Sequence, residues 1–226
     1  MRFGGVSYLN ARPLLEGLEP LVIDDPAGLT LRFERGEVDV ALLPVAAGEA
    51  AGLTRVGSLG IAARGPVESV LLFLSRDVAD LRTVELDPAS RTSRLLALVV
   101  LRRVYGVEPE IVASGADAQL VIGDQALVRA RGDEARLDLA DEWTRWTGLP
   151  FVFAAWYGDP DAEAELEAAH GRGVARLAAY AHEAAAELDL PEEDLRRYLE
   201  RHIRFRLGGE ELAGLERFRD EVLRSP

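Results

Sequence analysis

The residues best suited to chemistry lie in a short polar segment, residues 87–93, which comes directly before an apolar run. Its hydroxyl and guanidinium side chains are those of Ser90, Arg91, Thr92 and Ser93. The apolar run, residues 94–105, predicts a helix that is buried on nearly every face. The first N–H groups of a helix lack internal acceptors, and the helix dipole adds about +0.5 charge there. The segment therefore predicts either a plain N-cap or a site for a carboxylate or phosphate.

A second polar segment follows the first predicted strand, residues 2–9. Asn10 offers both a donor and an acceptor, and Arg12 offers a planar fork that suits a carboxylate. Asn10 is equally suited to cap the short helix that Pro13 begins, so a structural role stays open beside the binding role.

Three further segments lie where predicted strands begin or end, the edge at which α/β sheets bind ligands. Pro44 follows an apolar strand and presents backbone to a cleft, or else makes a tight turn into a helix. Ser69 opens another strand, where a serine often only bonds the backbone. Gly123 permits a close backbone approach, and Asp124 suits either a hydroxyl ligand or an N-cap.

The elements that must position these residues alternate between short apolar strands and helical segments, which is typical of an α/β fold. Strands near residues 67–74 and 151–156 predict two crossings between lobes around a hinged cleft. We therefore expect a two-lobed, periplasmic-binding-protein-like (type 2) fold with a helical C-terminal region. The expected lobes are residues 1–75 with about 185–226, and residues 76–184. One long helix is predicted over residues 162–188.

Composition excludes several kinds of chemistry. The 226 residues are 48% hydrophobic, enough for a sizeable core, and include no cysteine for disulfides or thiolate ligands. All 26 basic residues are arginine, so no lysine is present for Schiff-base chemistry. The net charge of −13 argues against nucleic acid and membrane surfaces as partners. The sequence contains no metal-ligand spacing, nucleophile elbow, phosphate loop or dinucleotide fingerprint, so neither metal nor cofactor is expected.

The chain shows neither a signal peptide nor an apolar run long enough for a membrane span, which predicts a cytoplasmic protein. Its three histidines fall in helical segments of the C-terminal third that look exposed, and we expect no catalytic role for them.

Six motifs in order resemble one known family, the chorismate dehydratases, which open the futalosine route to menaquinone. The motifs are residues 6–10 (VSYLN) with 13–14, 39–44 (DVALLP), 69–72 (SVLL), 90–93 (SRTS), 122–127 (IGDQAL), and Trp143 with 147–154 (TGLPFVFA). The match extends from about residue 2 to residue 157, and the helical tail is consistent with it. The family has the two-lobed binding-protein fold without an export signal.

The resemblance implies that chorismate, a dicarboxylate, loses water to give 3-[(1-carboxyvinyl)oxy]benzoate. It implies Asn10 and Asp124 as catalytic candidates, with Asp124 and Glu68 the motif carboxylates placed to act as a base. The favoured hypothesis is that the substrate's enolpyruvyl carboxylate takes the proton while the protein positions it and stabilises charge. The implied substrate-binding residues are Tyr8, Arg12, Pro44, Ser69, Ser90, Arg91, Thr92, Ser93 and Gly123.

Three other functions remain open at this point. The first is a solute-binding protein that captures a small carboxylate without chemistry, which the fold permits. The second is the sister enzyme that makes 1,4-dihydroxy-6-naphthoate, although the chain has no histidine before residue 170 to serve it. The third, a regulator's effector domain, lacks a helix-turn-helix. A small-molecule substrate is the expected partner, and a homo-oligomer is possible. In every case we expect helix N-termini, rather than overall positive potential, to hold an anion between the lobes.

Overall fold

The computed structural model describes residues 1–223, which form eleven strands in two sheets and ten α-helices. The strands are β1 (Phe3–Val6), β2 (Leu21–Asp24), β3 (Val40–Pro44), β4 (Arg55–Ala63), β5 (Val70–Leu74), β6 (Thr83–Glu85), β7 (Glu110–Ile111), β8 (Ala118–Ile122), β9 (Arg136–Asp138), β10 (Phe151–Gly158) and β11 (Arg204–Arg206). The helices are α1 (Arg12–Leu15), α2 (Pro26–Glu34), α3 (Val45–Ala50), α4 (Arg91–Arg103), α5 (Gly123–Arg129), α6 (Leu139–Thr147), α7 (Glu163–Val174), α8 (Leu177–Leu188), α9 (Glu192–Arg197) and α10 (Gly209–Leu223).

Each sheet is the centre of one lobe. The first has the strand order β11-β4-β10-β3-β1-β2, and the second has the order β7-β6-β8-β5-β9. In the first sheet β1 is parallel to β2 and β3, whereas β10 is antiparallel to β3 and β4. The carboxyl ends of β1, β2 and β3 therefore meet at one edge, as the sequence pattern predicts for a binding face.

The chain crosses between the lobes twice, although the boundaries differ from those expected. It passes to the second sheet through residues 64–69 and returns through residues 139–150. As a result β5, expected in the first lobe, pairs with β8 and β9 of the second. Conversely β10, expected in the second lobe, pairs with β3 and β4 of the first. Hydrophobic runs identify these strands, but the partners that decide their sheet are distant in sequence.

Helix α4 begins at Arg91, three residues before the apolar run that predicts it, and directly after the predicted cap residue Ser90. Ser90 is its N-cap, and the Ser90 Oγ accepts a hydrogen bond from the Ser93 N–H at 3.2 Å. The apolar side chains on its inner face, including Leu96, Val100 and Leu101, are fully buried. Removing them from water holds the helix rigidly, so its first turn has a fixed place in the molecule.

The long helix expected over residues 162–188 is instead two helices, α7 and α8, with a break near Arg176. Helix α7 ends against α1, and a Cβ added at Gly173 would lie only 2.1 Å from the Pro13 carbonyl oxygen. A side chain would not fit at this close backbone contact, and the turn after it closes with an Arg176 N–H bond to the Gly173 oxygen at 2.9 Å. Strand β11, which the sequence pattern does not indicate, adds to the edge of β4.

The C-terminal region packs against both lobes. An aromatic cluster joins Trp143 of α6, Phe151 of β10 and Phe218 of α10, with ring centroids 4.9 to 6.0 Å apart. Across residues 1–223, the helices are all too short or too polar to cross a membrane.

Candidate active site between the lobes

A buried cavity lies between the two sheets, where strands β1, β3 and β8 end and helices α3, α4 and α5 begin. Its polar lining comes from Tyr8, Asn10, Ser69, Ser90 and Ser93. Its remaining lining comes from Val6, Pro26, Leu42, Pro44, Ile61, Val67, Val70, Ile122, Gly123, Phe153 and Ala154. Among the described residues that line it, none carries a charged side chain. Seven of the eleven residues that the resemblance singled out therefore meet at this cavity.

Asn10 is placed by the short 3-10 helix Leu9–Ala11, which continues directly from β1. Its side chain is 8% exposed, and its Oδ1 atom has no hydrogen-bond partner among residues 1–223. The alternative that Asn10 caps α1 is wrong, because Ala11 occupies the N-cap position and no side chain caps that helix. A buried amide oxygen without a partner costs free energy, and a ligand donor in the cavity would relieve that cost.

The hydroxyl side chains in the first turn of α4 make two kinds of contact. Ser90 and Ser93 line the cavity, with their Oγ atoms 3.0 Å apart. Thr92 is fully buried, and its Oγ1 accepts a hydrogen bond from the Ala46 N–H of the other lobe at 3.0 Å. The N-cap prediction is therefore confirmed for Ser90, which also lines the cavity, and the anion site stays a prediction.

Asp124, expected to act in catalysis, forms a second link between the lobes. Its carboxylate accepts the Leu9 N–H at 3.0 Å and therefore caps the 3-10 helix that carries Asn10. It does not cap its own helix, whose N-cap position is Ile122. Burial raises the pKa of Asp124, while the Leu9 N–H and the charge of Arg12 oppose that rise. The geometry gives this carboxylate a role in joining the lobes.

The structure does not bring the two expected arginines into the cavity. Arg12 pairs with Glu187 of α8, with Nη2 2.5 Å from Oε2, and lies on the outside of the first lobe. Arg91 is exposed and lies beside Pro88 and Ala89 at the outer start of α4. Successive positions at a helix start point in different directions, so a motif can contain both a lining residue and an exposed one.

Tyr8 and Gly123 form a close contact across the cleft. Gly123 has φ +64°, and a Cβ added there would lie 2.6 Å from two carbon atoms of the Tyr8 ring. Burial, together with the negative charges of Asp87, Asp124 and Asp25, raises the pKa of Tyr8 to about 12. Tyr8 is therefore neutral near pH 7 and supplies the lining with an uncharged hydroxyl.

Tyr198, which the sequence reasoning missed, does not line the cavity but bonds one of its lining residues. It comes from a π-helical turn, Tyr198–His202, that follows α9, and its hydroxyl donates to the Ser69 Oγ at 2.9 Å. Both side chains are 1% exposed. No sequence signal distinguishes this tyrosine from the other apolar positions of the helical tail.

The histidines are outside the cavity lining. His170, expected on an exposed helix face, is 6% exposed and packs beside Phe205 with ring centroids 5.4 Å apart. His202 lies with Nδ1 3.6 Å from the Glu68 carboxylate, behind the segment that carries Ser69. Among residues 1–223, the acidic and histidine side chains form no group of three or more suited to a metal ion.

The cavity is small in this structure, with a volume of about 60 Å³. Small-molecule sites typically measure about 300 Å³ or more, so a ligand of this class needs the lobes to separate. A larger groove of about 440 Å³ lies beside α5, α6 and α9. Three of its four arginines are paired with carboxylates, as in Arg131–Asp194 at 2.7 Å and Arg145–Asp141 at 2.6 Å, and Arg136 donates to backbone carbonyl oxygens. The cavity between the sheets, with its unpartnered amide oxygen, is the better candidate site.

The two sheets, the double crossing and the cleft at the strand ends define a protein of the periplasmic-binding-protein-like class, as predicted. Three solved structures show this fold. Protein AF1704 from Archaeoglobus fulgidus aligns with a TM-score of 0.72 at 16% identity, covering 98% of this chain and 96% of that one. The alkanesulfonate-binding protein SsuA from Xanthomonas axonopodis pv. citri, bound to MOPS, aligns with a TM-score of 0.65 at 17% identity, covering 100% and 94%. The Candida albicans CA3427 product, described as having the generic periplasmic binding protein fold, aligns with a TM-score of 0.64 at 12% identity, covering 100% and 91%.

A family profile described as menaquinone biosynthesis matches residues 1–223, and the chain belongs to this family. The chain is also similar to the chorismate dehydratase of Campylobacter jejuni subsp. jejuni, with 28% identity over 167 residues. That match covers 68% of this chain and 66% of the length of the curated relative. The family predicted from the six motifs is confirmed.

Proposed function

We propose that this protein is a chorismate dehydratase, a carbon–oxygen lyase that removes water from chorismate to give 3-[(1-carboxyvinyl)oxy]benzoate. Membership of the menaquinone biosynthesis family and similarity to a curated chorismate dehydratase support this function. The observation that carries it is the buried cavity, which combines hydroxyls and an amide with no charged side chain. Such a lining suits a small organic anion that brings its own base.

The start of α4 supplies the site for one carboxylate of chorismate. This helix has 13 residues, and its first turn presents the Ser90 and Ser93 hydroxyls to the cavity. Its unpaired N–H groups and dipole favour negative charge, more strongly because the surroundings are buried. The ring carboxylate is assigned here, and the enolpyruvyl carboxylate is assigned to the side that holds Asn10.

The proton that leaves the ring needs an acceptor, and the described lining residues offer neither a carboxylate nor an imidazole. The enolpyruvyl carboxylate of the substrate therefore takes the proton from the ring carbon that carries the ether. The C–O bond of the neighbouring carbon breaks, its electrons leave with the hydroxyl group, and the ring becomes aromatic. The proton and the hydroxide together account for the water that is lost.

Asn10 favours this proton transfer because its Oδ1 is a buried acceptor without a partner. An ionised carboxylate cannot donate to that oxygen, whereas the carboxylic acid formed by proton transfer can. The hydrogen bond thus forms as the reaction proceeds and stabilises the transition state more than the bound substrate.

A non-catalytic solute-binding protein is the main alternative, because the same fold binds ligands without chemistry. The two functions separate in one assay: the purified protein is incubated with chorismate and the product is identified by mass spectrometry. We expect a product lighter by one water with aromatic ultraviolet absorbance. Saturable binding of chorismate without that product would support the alternative. The sister naphthoate synthase loses support because no histidine lines the cavity among the described residues.

Asn10→Ala provides the test at the level of one residue. We expect kcat to fall roughly 100-fold, the loss typical of removing one preorganised group from a reaction site. Gln119→Ala is the matched control, because it removes an amide that bonds Glu85 and Arg129 away from the cavity. An Asn10→Ala protein that folds and turns over at the wild-type rate would remove Asn10 from the mechanism.

A further inference from the structure

A second cavity lies outside the first one, at the mouth of the cleft between the lobes. It has a volume of about 430 Å³ and shares Pro26 and Pro44 with the lining of the inner cavity. Helices α2 and α3 form its wall in the first lobe, and residues of the range 88–91 form its wall in the second. The outer cavity reaches the protein surface, where the Leu31 side chain is 50% exposed. The two cavities are therefore neighbours in one cleft.

The lining of this outer cavity is apolar apart from three side chains. Those three are Thr30, Glu34 and Arg91, and proline, alanine and leucine supply the rest. The Thr30 hydroxyl donates to the Pro26 carbonyl oxygen at 2.8 Å, so it already has a partner within α2. A space of more than about 300 Å³ with a mostly apolar lining and a few polar groups is typical of small-molecule sites.

Arg91 is the one positive charge among the described residues that line the outer cavity. Its guanidinium makes no hydrogen bond or ion pair with any other residue of the range 1–223. Arg12, by contrast, is paired with Glu187. An exposed guanidinium without a partner keeps its donors available for a carboxylate that comes from outside the protein.

The position of Arg91 along the cleft separates it from the acidic member of the lining. Arg91 directly follows Ser90, which lines the inner cavity. Glu34 lies eight residues beyond Pro26 on α2, which is about 12 Å at the helical rise of about 1.5 Å per residue. The arginine therefore lies at the inner end of the outer cavity, and the glutamate lies toward its rim.

Two further carboxylates, those of Asp25 and Asp87, lie close enough to Tyr8 to raise its pKa. Asp25 accepts the N–H groups at the start of α2, and Asp87 accepts the Ala89 N–H at 2.9 Å. Without Arg91, the side chains around this part of the cleft would present only negative charge to an approaching anion.

We propose that the outer cavity is the entrance to the active site, and that Arg91 binds a carboxylate of the substrate there before the substrate reaches the inner cavity. The identity of the substrate, the dianion chorismate, rests on the function proposed above. The apolar walls suit its carbon ring. One positive charge does not reverse the field of a chain with a net charge of −13, but it attracts the substrate at short range.

Arg91→Gln tests this role, because it removes the charge and keeps a polar side chain. We expect kcat/KM for chorismate to fall roughly three- to tenfold, the scale of one unit charge acting on a dianion at a surface, while kcat changes by less than about twofold. Arg91→Lys keeps the charge and should retain at least about half of the wild-type kcat/KM. An equal loss in both variants would overturn the inference, since the charge would not be its cause.

Arg82→Gln is the matched control, because it changes the net charge by the same amount. Arg82 is exposed, its side chain has no partner within residues 1–223, and it precedes β6, at the opposite end of that strand from the cleft. We expect kcat/KM to change by less than about twofold in this variant. A fall equal to that of Arg91→Gln would overturn the inference, because net charge rather than the place of Arg91 would decide the rate.

Salt gives a second measurement on the same proteins. Ions screen the attraction between Arg91 and an anion, so the ratio of kcat/KM in the wild type to that in Arg91→Gln should approach one as NaCl rises from about 10 mM to about 500 mM. A ratio that stays constant would overturn the electrostatic role. A wild-type protein that is inactive on chorismate would instead count against the proposed function.

Discussion

At the scale of single residues, the candidate site consists of uncharged polar side chains that lie at the cavity. Ser90 accepts the Ser93 N–H and still lines the cavity. Asn10 is buried, and its Oδ1 has no hydrogen-bond partner among residues 1–223. Neutral groups held in this way act by fixed dipoles, which need no reorganisation during a reaction.

Gly123 allows the first prediction, because two independent features exclude a side chain there. Its φ is +64°, and an added Cβ would meet the Tyr8 ring at 2.6 Å. We expect Gly123→Ala to lower the free energy of unfolding by about 2 to 4 kcal/mol, the sum of backbone strain and overpacking. Urea denaturation measures the change.

Gly106→Ala is the control for backbone strain alone, since φ is +68° and nothing lies within 4 Å of the added Cβ. The difference between the two variants reports the contact with Tyr8. Equal losses of stability in Gly123→Ala and Gly106→Ala would show that Tyr8 does not contact the side chain added at residue 123.

The sequence revealed Asn10 and the serines because polar residues at strand and helix ends are unusual positions with few purely structural uses. Tyr198 had no such signal, since its neighbours form an ordinary amphipathic tail. Arg12 and Arg91 were placed in the site because their chemistry suits a carboxylate, yet ion pairing with Glu187 and outward exposure decide their positions. Side-chain direction at a helix start depends on three-dimensional packing, which one sequence does not contain.

At the scale of elements, one carboxylate joins a crossing segment to a helix. Asp138 is the N-cap of α6, and it also accepts the Val67 and Glu68 N–H groups at 2.9 and 2.7 Å. Glu68 has φ +59°, a conformation that a non-glycine residue rarely adopts. Asp138 therefore holds the first crossing in a strained conformation next to Ser69.

Asp138 gives the second prediction, a dependence of stability on pH. Burial outweighs the four N–H donors and raises its pKa from 3.8 to about 6. The folded state thus binds the proton more tightly than the unfolded state. The stabilisation is fully present below about pH 4 and is lost as pH rises through about 6, amounting to about 3 kcal/mol.

The measurement compares the free energy of unfolding of the wild type and Asp138→Asn between pH 4 and pH 8. Because the amide does not titrate, the wild type should lose stability relative to the variant as pH increases. A constant difference across this range would show that the Asp138 pKa is not raised.

Helix α4 was predictable because its apolar run and its N-cap serine both indicate the same helix. The break between α7 and α8 was missed, although Gly171 and Gly173 lie just before it in the sequence and glycine weakens a helix. Lobe membership of β5 and β10 depends equally on distant pairing partners. Local patterns indicate that a strand exists, whereas its neighbours are decided by the whole fold.

At the scale of the whole molecule, two hydrogen bonds hold the lobes together over a cavity too small for a substrate. They join Ala46 N–H to the Thr92 Oγ1 and Leu9 N–H to the Asp124 carboxylate. Both the entry of the substrate and the release of the product require these two hydrogen bonds to break. These two hydrogen bonds are therefore formed in the arrangement of the lobes that the structure describes.

Thr92→Val gives the third prediction, because it keeps the shape of the side chain and removes the acceptor. We expect a loss of about 1 kcal/mol from the closed state, equal to one hydrogen bond. Hydrogen exchange at the Ala46 N–H should become roughly fivefold faster, whereas Thr92→Ser, which keeps the hydroxyl, should change it little. Identical exchange at Ala46 in Thr92→Val would show that this contact does not hold the lobes closed.

Net charge gives the fourth prediction, which concerns encounter with the substrate. The chain carries a charge of −13, and the described cavity lining has no charge to offset it. A dianion is therefore repelled at long range, and added salt should screen this repulsion. We expect kcat/KM for chorismate to increase as NaCl rises from about 10 mM to about 150 mM.

Steady-state rates at several NaCl concentrations, with an osmotic control such as sucrose, measure this effect. A decrease of kcat/KM with salt would instead indicate an attractive positive field at the mouth of the cleft.

The contact between Tyr198 and Ser69 has a consequence for how the protein is made. The two residues are 129 positions apart, so the wall that carries Ser69 is encoded long before the tyrosine that bonds it. During translation the Ser69 hydroxyl has no Tyr198 partner until the π-helical turn has left the ribosome. A frameshift late in the gene, beyond the codons for β10, should therefore abolish turnover as fully as one near its start.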